Sequence, residues 1–190
     1  MGSLTTVYFV RHAHSEYSTD ELGRPLSKKG LADAKRVAKR MEKESVNIVV
    51  SSPYKRAIQT VEGIAGYFQV EIEAIEELKE RVLASGEVSD FNTAIEKVWT
   101  EETFAWDGGE SNIIAQKRGV RALFHLLKQY ENKNIVIGTH GNIMVLIMKY
   151  FSKEYDFYFW RNLQMPDIYK LTFEGQQLQA VQRIWEDHNG

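Results

Sequence analysis

The chain contains no cysteine, which excludes disulfides, thiolate metal centres and a cysteine nucleophile. Proline is scarce, with three in 190 residues, so few positions are barred from a helix or a central strand. No apolar run approaches the ~20 residues needed to span a bilayer. The opening Met1-Gly2-Ser3-Leu4-Thr5-Thr6 has neither the basic nor the apolar region of a signal peptide. A cytoplasmic location is the resulting expectation. A charge of one sign is also missing: 24 Lys and Arg face 26 Asp and Glu, for a net charge of −2. That balance gives no case for nucleic acid or an anionic membrane as partner. It sets no oligomeric state.

What is present is an alternation of strand-like and helix-like segments. Val7-Tyr8-Phe9-Val10, Val46-Asn47-Ile48-Val49-Val50 and Ile135-Val136-Ile137 are short apolar runs of the kind that form buried parallel strands. Helical spacing is predicted over 28–44, where Leu31, Ala34, Val37, Ala38 and Met41 recur behind the capping Ser27. Further helices are expected near 54–68, 88–102, 111–131 and 142–151, with a third strand near 70–75. Ile168–Phe173 and Leu178–Ile184 flank Glu174-Gly175 as a terminal hairpin. The expected fold is α/β, a three-layer α/β/α sandwich with a mostly parallel central sheet and an antiparallel edge. One domain covers 1–190, with 81–110 as a substrate-side segment.

Ligands in open α/β sheets collect beyond the carboxyl ends of the strands. Three such ends carry chemistry here. The first runs into Arg11-His12-Ala13-His14-Ser15, the second into Ser51-Ser52-Pro53 and Arg56, the third into Thr139-His140-Gly141. Each alone is explained as a strand end or a surface arginine. Together they describe an anion pocket of two guanidiniums and two imidazoles, fitted to phosphate. Arg56 would sit in a first helical turn, where free N–H groups favour an anion. Gly141 would let backbone N–H groups come close to it.

These blocks resemble the histidine phosphatase superfamily, which includes the cofactor-dependent phosphoglycerate mutases. The likeness extends from Arg11-His12-Ala13-His14-Ser15 through Pro25-Leu26-Ser27-Lys28-Lys29-Gly30, Arg56-Ala57-Ile58-Gln59-Thr60, Leu78-Lys79-Glu80-Arg81 and Gly109-Glu110-Ser111 to Thr139-His140-Gly141. By that resemblance His12 is the nucleophile that becomes phosphohistidine, and Arg11, Arg56 and His140 hold the phosphoryl oxygens. Glu80 protonates the leaving oxygen and then activates water. Ser18, Gly141, Arg81 and Trp106 are the substrate-binding candidates. Ala13 stands where the family usually has glycine, and Ser18 where many members have asparagine. No cofactor and no metal are implied. Two arginines beside His12, His14 and His140 would repel a cation, against a metal-dependent hydrolase.

The resemblance leaves mutase and phosphatase to be separated. A mutase must hold a second negative group while its intermediate reorients. Residues 81–110 offer only Arg81 and Lys97 as bases, against Glu87, Asp90, Glu96, Glu101, Glu102, Asp107 and Glu110. The same segment holds Phe91, Trp99, Phe104 and Trp106, either as core or as an apolar wall for a leaving group. The expected activity is that of a histidine acid-type phosphatase on a small phosphorylated metabolite, with broad specificity. The alternatives are a phosphoglycerate mutase and a catalytically silent phospho-ligand binder.

Overall fold

A computed structural model describes residues 2–186. Its centre is a six-stranded sheet ordered β3-β2-β4-β1-β5-β6. The strands are β1 (Leu4–Arg11), β2 (Ile48–Ser51), β3 (Ile72–Ala74), β4 (Asn134–Thr139), β5 (Asp167–Glu174) and β6 (Gln177–Arg183). β1, β2, β3 and β4 run parallel; β5 and β6 form the antiparallel edge. The helices are α1 (Lys28–Met41), α2 (Lys55–Phe68), α3 (Phe91–Thr100), α4 (Asn112–Gln129), α5 (Gly141–Phe151) and a short α6 (Phe157–Arg161). No helix among the described residues is long and apolar enough to cross a membrane.

The alternation of side chains along each strand builds the three layers. Val7 and Phe9 of β1, with Ile135 and Ile137 of β4, face a core shared with α3, α4 and α5. Tyr8 and Val10, with Val49 and Val136, face the other core, shared with α1 and α2. α5 is apolar nearly all round, from Ile143 to Met148, and is buried accordingly.

Parallel register then brings the chemistry together. Arg11 pairs with Thr139, and Ser51 with Gly138, so the carboxyl ends of β1, β2 and β4 coincide. The predicted elements form with ends shifted by one to a few residues, and two elements were not predicted. One is the 3-10 turn Glu76–Leu78, the other α6. The sequence of α6, Phe157-Tyr158-Phe159-Trp160-Arg161, lacks the spaced polar positions that reveal a surface helix.

The loop after β1 is clamped to the start of α1. The Ser27 hydroxyl accepts from Gly30 N (3.0 Å) and meets His14 Nδ1 at 2.7 Å, while Ser27 N donates to the His14 carbonyl at 2.9 Å. A side chain at Gly30 would lie 2.0 Å from that carbonyl oxygen. Gly30→Ala is therefore expected to cost about 1–3 kcal/mol through overpacking and to displace the His12 loop. Urea denaturation checks this, and an unchanged midpoint contradicts it.

Candidate active site

His12 lies just beyond β1, with only 7% of its surface exposed. Its backbone N–H donates to the Thr139 carbonyl at 3.0 Å, which continues the parallel ladder. Its Nδ1 lies 2.7 Å from the Ala13 carbonyl. A carbonyl only accepts, so Nδ1 carries the ring hydrogen and Nε2 keeps its lone pair. Burial, and then the charges of Arg56, Arg11 and Arg24, push the His12 pKa down to about 3. The ring is therefore a neutral base with a fixed tautomer. Ala13, the departure from the usual glycine, is fully buried among Leu26 and Ala34. Its N–H donates to Thr60 Oγ1 (3.0 Å), which itself donates to the Arg56 carbonyl (2.7 Å).

His140 is fully buried and meets His12 edge to face, with ring centres 5.1 Å apart. Its Nε2 lies 2.8 Å from Ser52 Oγ, and that oxygen already accepts from Tyr54 N at 3.1 Å. The hydroxyl's hydrogen can be donated to Nε2, and in that tautomer the ring proton sits on Nδ1. Nδ1 has no partner among the described residues. Burial, His12 and the nearby arginines hold the His140 pKa well below its ordinary value.

The arginines are anchored through one part of the guanidinium and left open through another. Arg11 Nη1 donates to the Leu163 and Gln164 carbonyls at 3.5 and 3.1 Å, while its buried Nε has no partner. Asp167 stands behind it, opposite Arg11 across the β1–β5 pairing, and accepts from Gln164 N at 2.9 Å. Arg56 is 2% exposed. Its Nη1 donates to the Glu21 carbonyl (2.7 Å) and its Nη2 to the Glu21 carboxylate (3.0 Å), and again Nε is unpaired. Burial lowers the pKa of both arginines. Buried donors are almost always satisfied. The unpaired Arg11 Nε, Arg56 Nε and His140 Nδ1 therefore mark where an anion's oxygens belong.

Glu80 faces this group from the other side. Oε1 accepts from Arg81 N and Ile143 N, both at 2.9 Å, and Oε2 accepts from Asn142 N at 3.0 Å. The carboxylate thus sits on the first turn of α5, where the helix favours negative charge. Oε2 accepts only one of these bonds, which leaves it a lone pair for a proton. Thr139 Oγ1 donates to the Leu78 carbonyl at 3.0 Å, tying the segment before Glu80 to the end of β4. Arg118 adds bonds to the Glu77 and Lys79 carbonyls and to both Glu110 oxygens.

The structure brings His12, Arg11, Arg56, His140 and Glu80 to one end of the sheet, and gives other expected residues different employment. Arg81 is buried, with Nη1 on Asn112 Oδ1 at 2.6 Å and Nη2 on the Glu110 carbonyl. Trp106 turns its indole N–H to the Ala94 carbonyl (3.0 Å) and packs on Phe104. Ser18 Oγ accepts from Asp20 N at 3.1 Å. Gly141 is needed for a reason beyond anion approach: a side chain there would lie 2.9 Å from the Arg11 guanidinium. His14 is exposed and so is His125, whereas His188 lies outside the described residues.

Three contributors were missed. Arg24 lowers the pKa of His12, His140 and Arg56 by its charge and carries an unpaired buried Nε. Its signal was its place directly before Pro25-Leu26-Ser27. Glu21 holds Arg56, and Asp167, itself paired with Arg183, acts on Arg11 by its charge; no local pattern announces either. Among the described residues no group of three or more metal-ligating side chains is placed to hold an ion.

A neutral, buried histidine at a strand end between convergent cations is an arrangement suited to phosphoryl transfer. The chain matches the model of the histidine phosphatase superfamily (branch 1) over residues 7–186, and it belongs to that family. It is 28% identical over 149 residues to the probable phosphoglycerate mutase GpmB of Proteus mirabilis, covering 71% of this chain and 69% of that one. Its fold is shared with a mycobacterial glucosyl-3-phosphoglycerate phosphatase, with TM-score 0.77, 17% identity and 95% and 97% of the two chains covered. It is also shared with a phosphoserine phosphatase of Entamoeba histolytica, with TM-score 0.75, 24% identity and 93% and 96% covered.

The buried neutral imidazoles have a measurable consequence. Below the ordinary histidine pKa of about 6.5, the unfolded chain takes up protons at His12 and His140 that the ligand-free native state refuses. The stability they contribute is present above that value and is lost as pH falls toward the depressed native pKa, about 3 for His12. Between pH 6 and pH 5 His12 should therefore remove about 1 kcal/mol, with His140 acting in the same direction. His12→Asn should reduce the loss by that amount in urea denaturation; an unchanged pH dependence would show that His12 titrates normally.

Proposed function

We propose that this chain hydrolyses phosphomonoesters through a phosphohistidine at His12. The observation that carries the reading is the locked tautomer of His12. The ring packs against His140 and feels the charges of Arg11 and Arg56, and Arg11 Nε, Arg56 Nε and His140 Nδ1 are buried without a partner among the described residues. Phosphoryl transfer demands positioning and charge neutralisation more than covalent chemistry, and these groups supply both.

In the first step Nε2 attacks phosphorus while the ester oxygen departs. The P–O bond breaks, the N–P bond forms, and Glu80 delivers its proton to the leaving oxygen. The imidazole becomes cationic as it bonds, which the phosphoryl charge and the Ala13 carbonyl offset. Arg11, Arg56 and His140 hold the three oxygens, and Arg24 adds charge behind them. In the second step Glu80, now a carboxylate, takes a proton from water as its oxygen attacks phosphorus. The N–P bond breaks, releasing inorganic phosphate and restoring neutral His12. No step requires a metal or a cofactor. The substrate is a small phosphorylated metabolite, and residues 81–110 lie on the leaving-group side.

The name of the Proteus relative favours a second reading, phosphoglycerate mutase. The cations on the Glu80 side argue against it. Arg81 is committed to Asn112 and Glu110, Lys79 to Glu76, Lys97 to Glu101 and Lys149 to Glu102. Apart from Arg161, exposed over Phe157, that leaves little to hold the second anionic group a mutase must retain.

With an alkyl phosphate, Glu80→Gln should lower turnover by about 10²- to 10⁴-fold, the usual range for a general acid. With 4-nitrophenyl phosphate, whose leaving group needs no proton, the loss should be far smaller; an equal loss for both would move the acid role elsewhere. His12→Ala should abolish turnover and the acid-labile phosphoenzyme. Efficient interconversion of phosphoglycerates with little hydrolysis would establish the mutase instead.

A further inference from the structure

Beyond Glu80 the structure holds a set of aromatic rings that the chemistry above does not use. Trp99 and Trp160 stack at 6.5 Å with their planes 22° apart, and Phe157 stacks on Trp160 at 5.7 Å and 20°. Trp99 is buried, while Phe157 and Trp160 are partly exposed.

These rings are wired to the site at both ends. Trp99 Nε1 donates to Asn142 Oδ1 at 2.8 Å, and Asn142 N donates to Glu80 Oε2. From Trp160 the chain turns directly into Leu163, whose N–H donates to the Trp160 carbonyl at 3.2 Å and whose own carbonyl accepts from Arg11. The stack therefore spans from the proton donor to a phosphate-holding arginine. In-line attack by His12 sends the leaving group away from the nucleophile, toward the residue that protonates it. A second observation points to a ligand. Trp160 Nε1 is buried and has no hydrogen-bond partner among the described residues, unlike Trp99 and Trp106, whose indoles are both satisfied. A buried N–H without an acceptor is rare in a finished structure. Arg161, the next residue, lies over Phe157 at 5.6 Å and is exposed at the rim.

We infer that Trp160, with Phe157 and behind them Trp99, forms the leaving-group subsite, and that it takes a planar aromatic leaving group carrying an acceptor oxygen. This rests on the phosphomonoesterase reading and deepens it. The wall comes largely from α6, outside the 81–110 segment. Specificity arises because a flat ring exchanges water for ring contact.

Binding separates this inference from the catalytic one, because phosphonates cannot be hydrolysed. Calorimetry would compare phenylphosphonate with methylphosphonate on the full chain. Phenylphosphonate should bind about tenfold more tightly, a factor that corresponds to 1.4 kcal/mol. Trp160→Ala should erase that difference while leaving methylphosphonate affinity within about twofold, and Trp160→Phe should keep most of it. Equal affinities in the unaltered protein overturn the inference, as does a Trp160→Ala variant that folds but weakens both ligands alike. If phenylphosphonate is preferred but no phosphomonoester is turned over, the subsite stands and the hydrolase reading fails.

Discussion

Concentrated positive charge at the carboxyl ends of β1, β2 and β4 is the constraint around which the rest is arranged. Arg11, Arg24 and Arg56 lie close enough to depress the pKa of His12 by their charges. Buried cations are costly unless paired or hydrogen-bonded. The protein meets that cost unevenly. Glu21, Glu80 and Asp167 offset the guanidiniums, carbonyls at 21, 163 and 164 hold their terminal nitrogens, and both histidines stay neutral. Inward-facing donors remain unsatisfied. Such a pocket is incomplete without an anion, and His12 is kept unprotonated first by its burial and then by the surrounding cations.

The surrounding architecture serves that arrangement. Parallel register aligns the three strand ends. Thr60 ties the His12 loop to α2, and Ser27 with Gly30 ties it to α1. Thr139 and Arg118 fix the segment that carries Glu80, and the N-terminus of α5 receives its carboxylate. The motif blocks are therefore not all chemical. Pro25–Gly30, Thr60 and Gly109–Ser111 are scaffolding that holds His12 and Glu80 at a fixed separation.

Much of this was legible in the chain. The parallel strands announced themselves as short apolar runs, and Arg11, His12, Arg56, His140 and Gly141 followed from where those runs end. The less legible parts share a physical cause: they depend on contacts between distant segments. Glu21 reads as a surface acid until the fold sets it on Arg56. Arg81 reads as a free base until Asn112 and Glu110 close on it. Asp167 looks like an ordinary strand start until pairing brings it opposite Arg11. α6 escaped because five residues rich in aromatics show no helical period. Trp106 escaped in the opposite sense, since an aromatic beside a turn signals neither core nor pocket.

The central claim is the protonation state of His12, and nitrogen NMR of the imidazole in ligand-free protein reads it directly. The expected spectrum is that of a neutral ring with the hydrogen on Nδ1 and Nε2 unprotonated, persisting through pH 5 and titrating only as pH approaches about 3. A ring that titrates near 6.5, or that carries its hydrogen on Nε2, would contradict it.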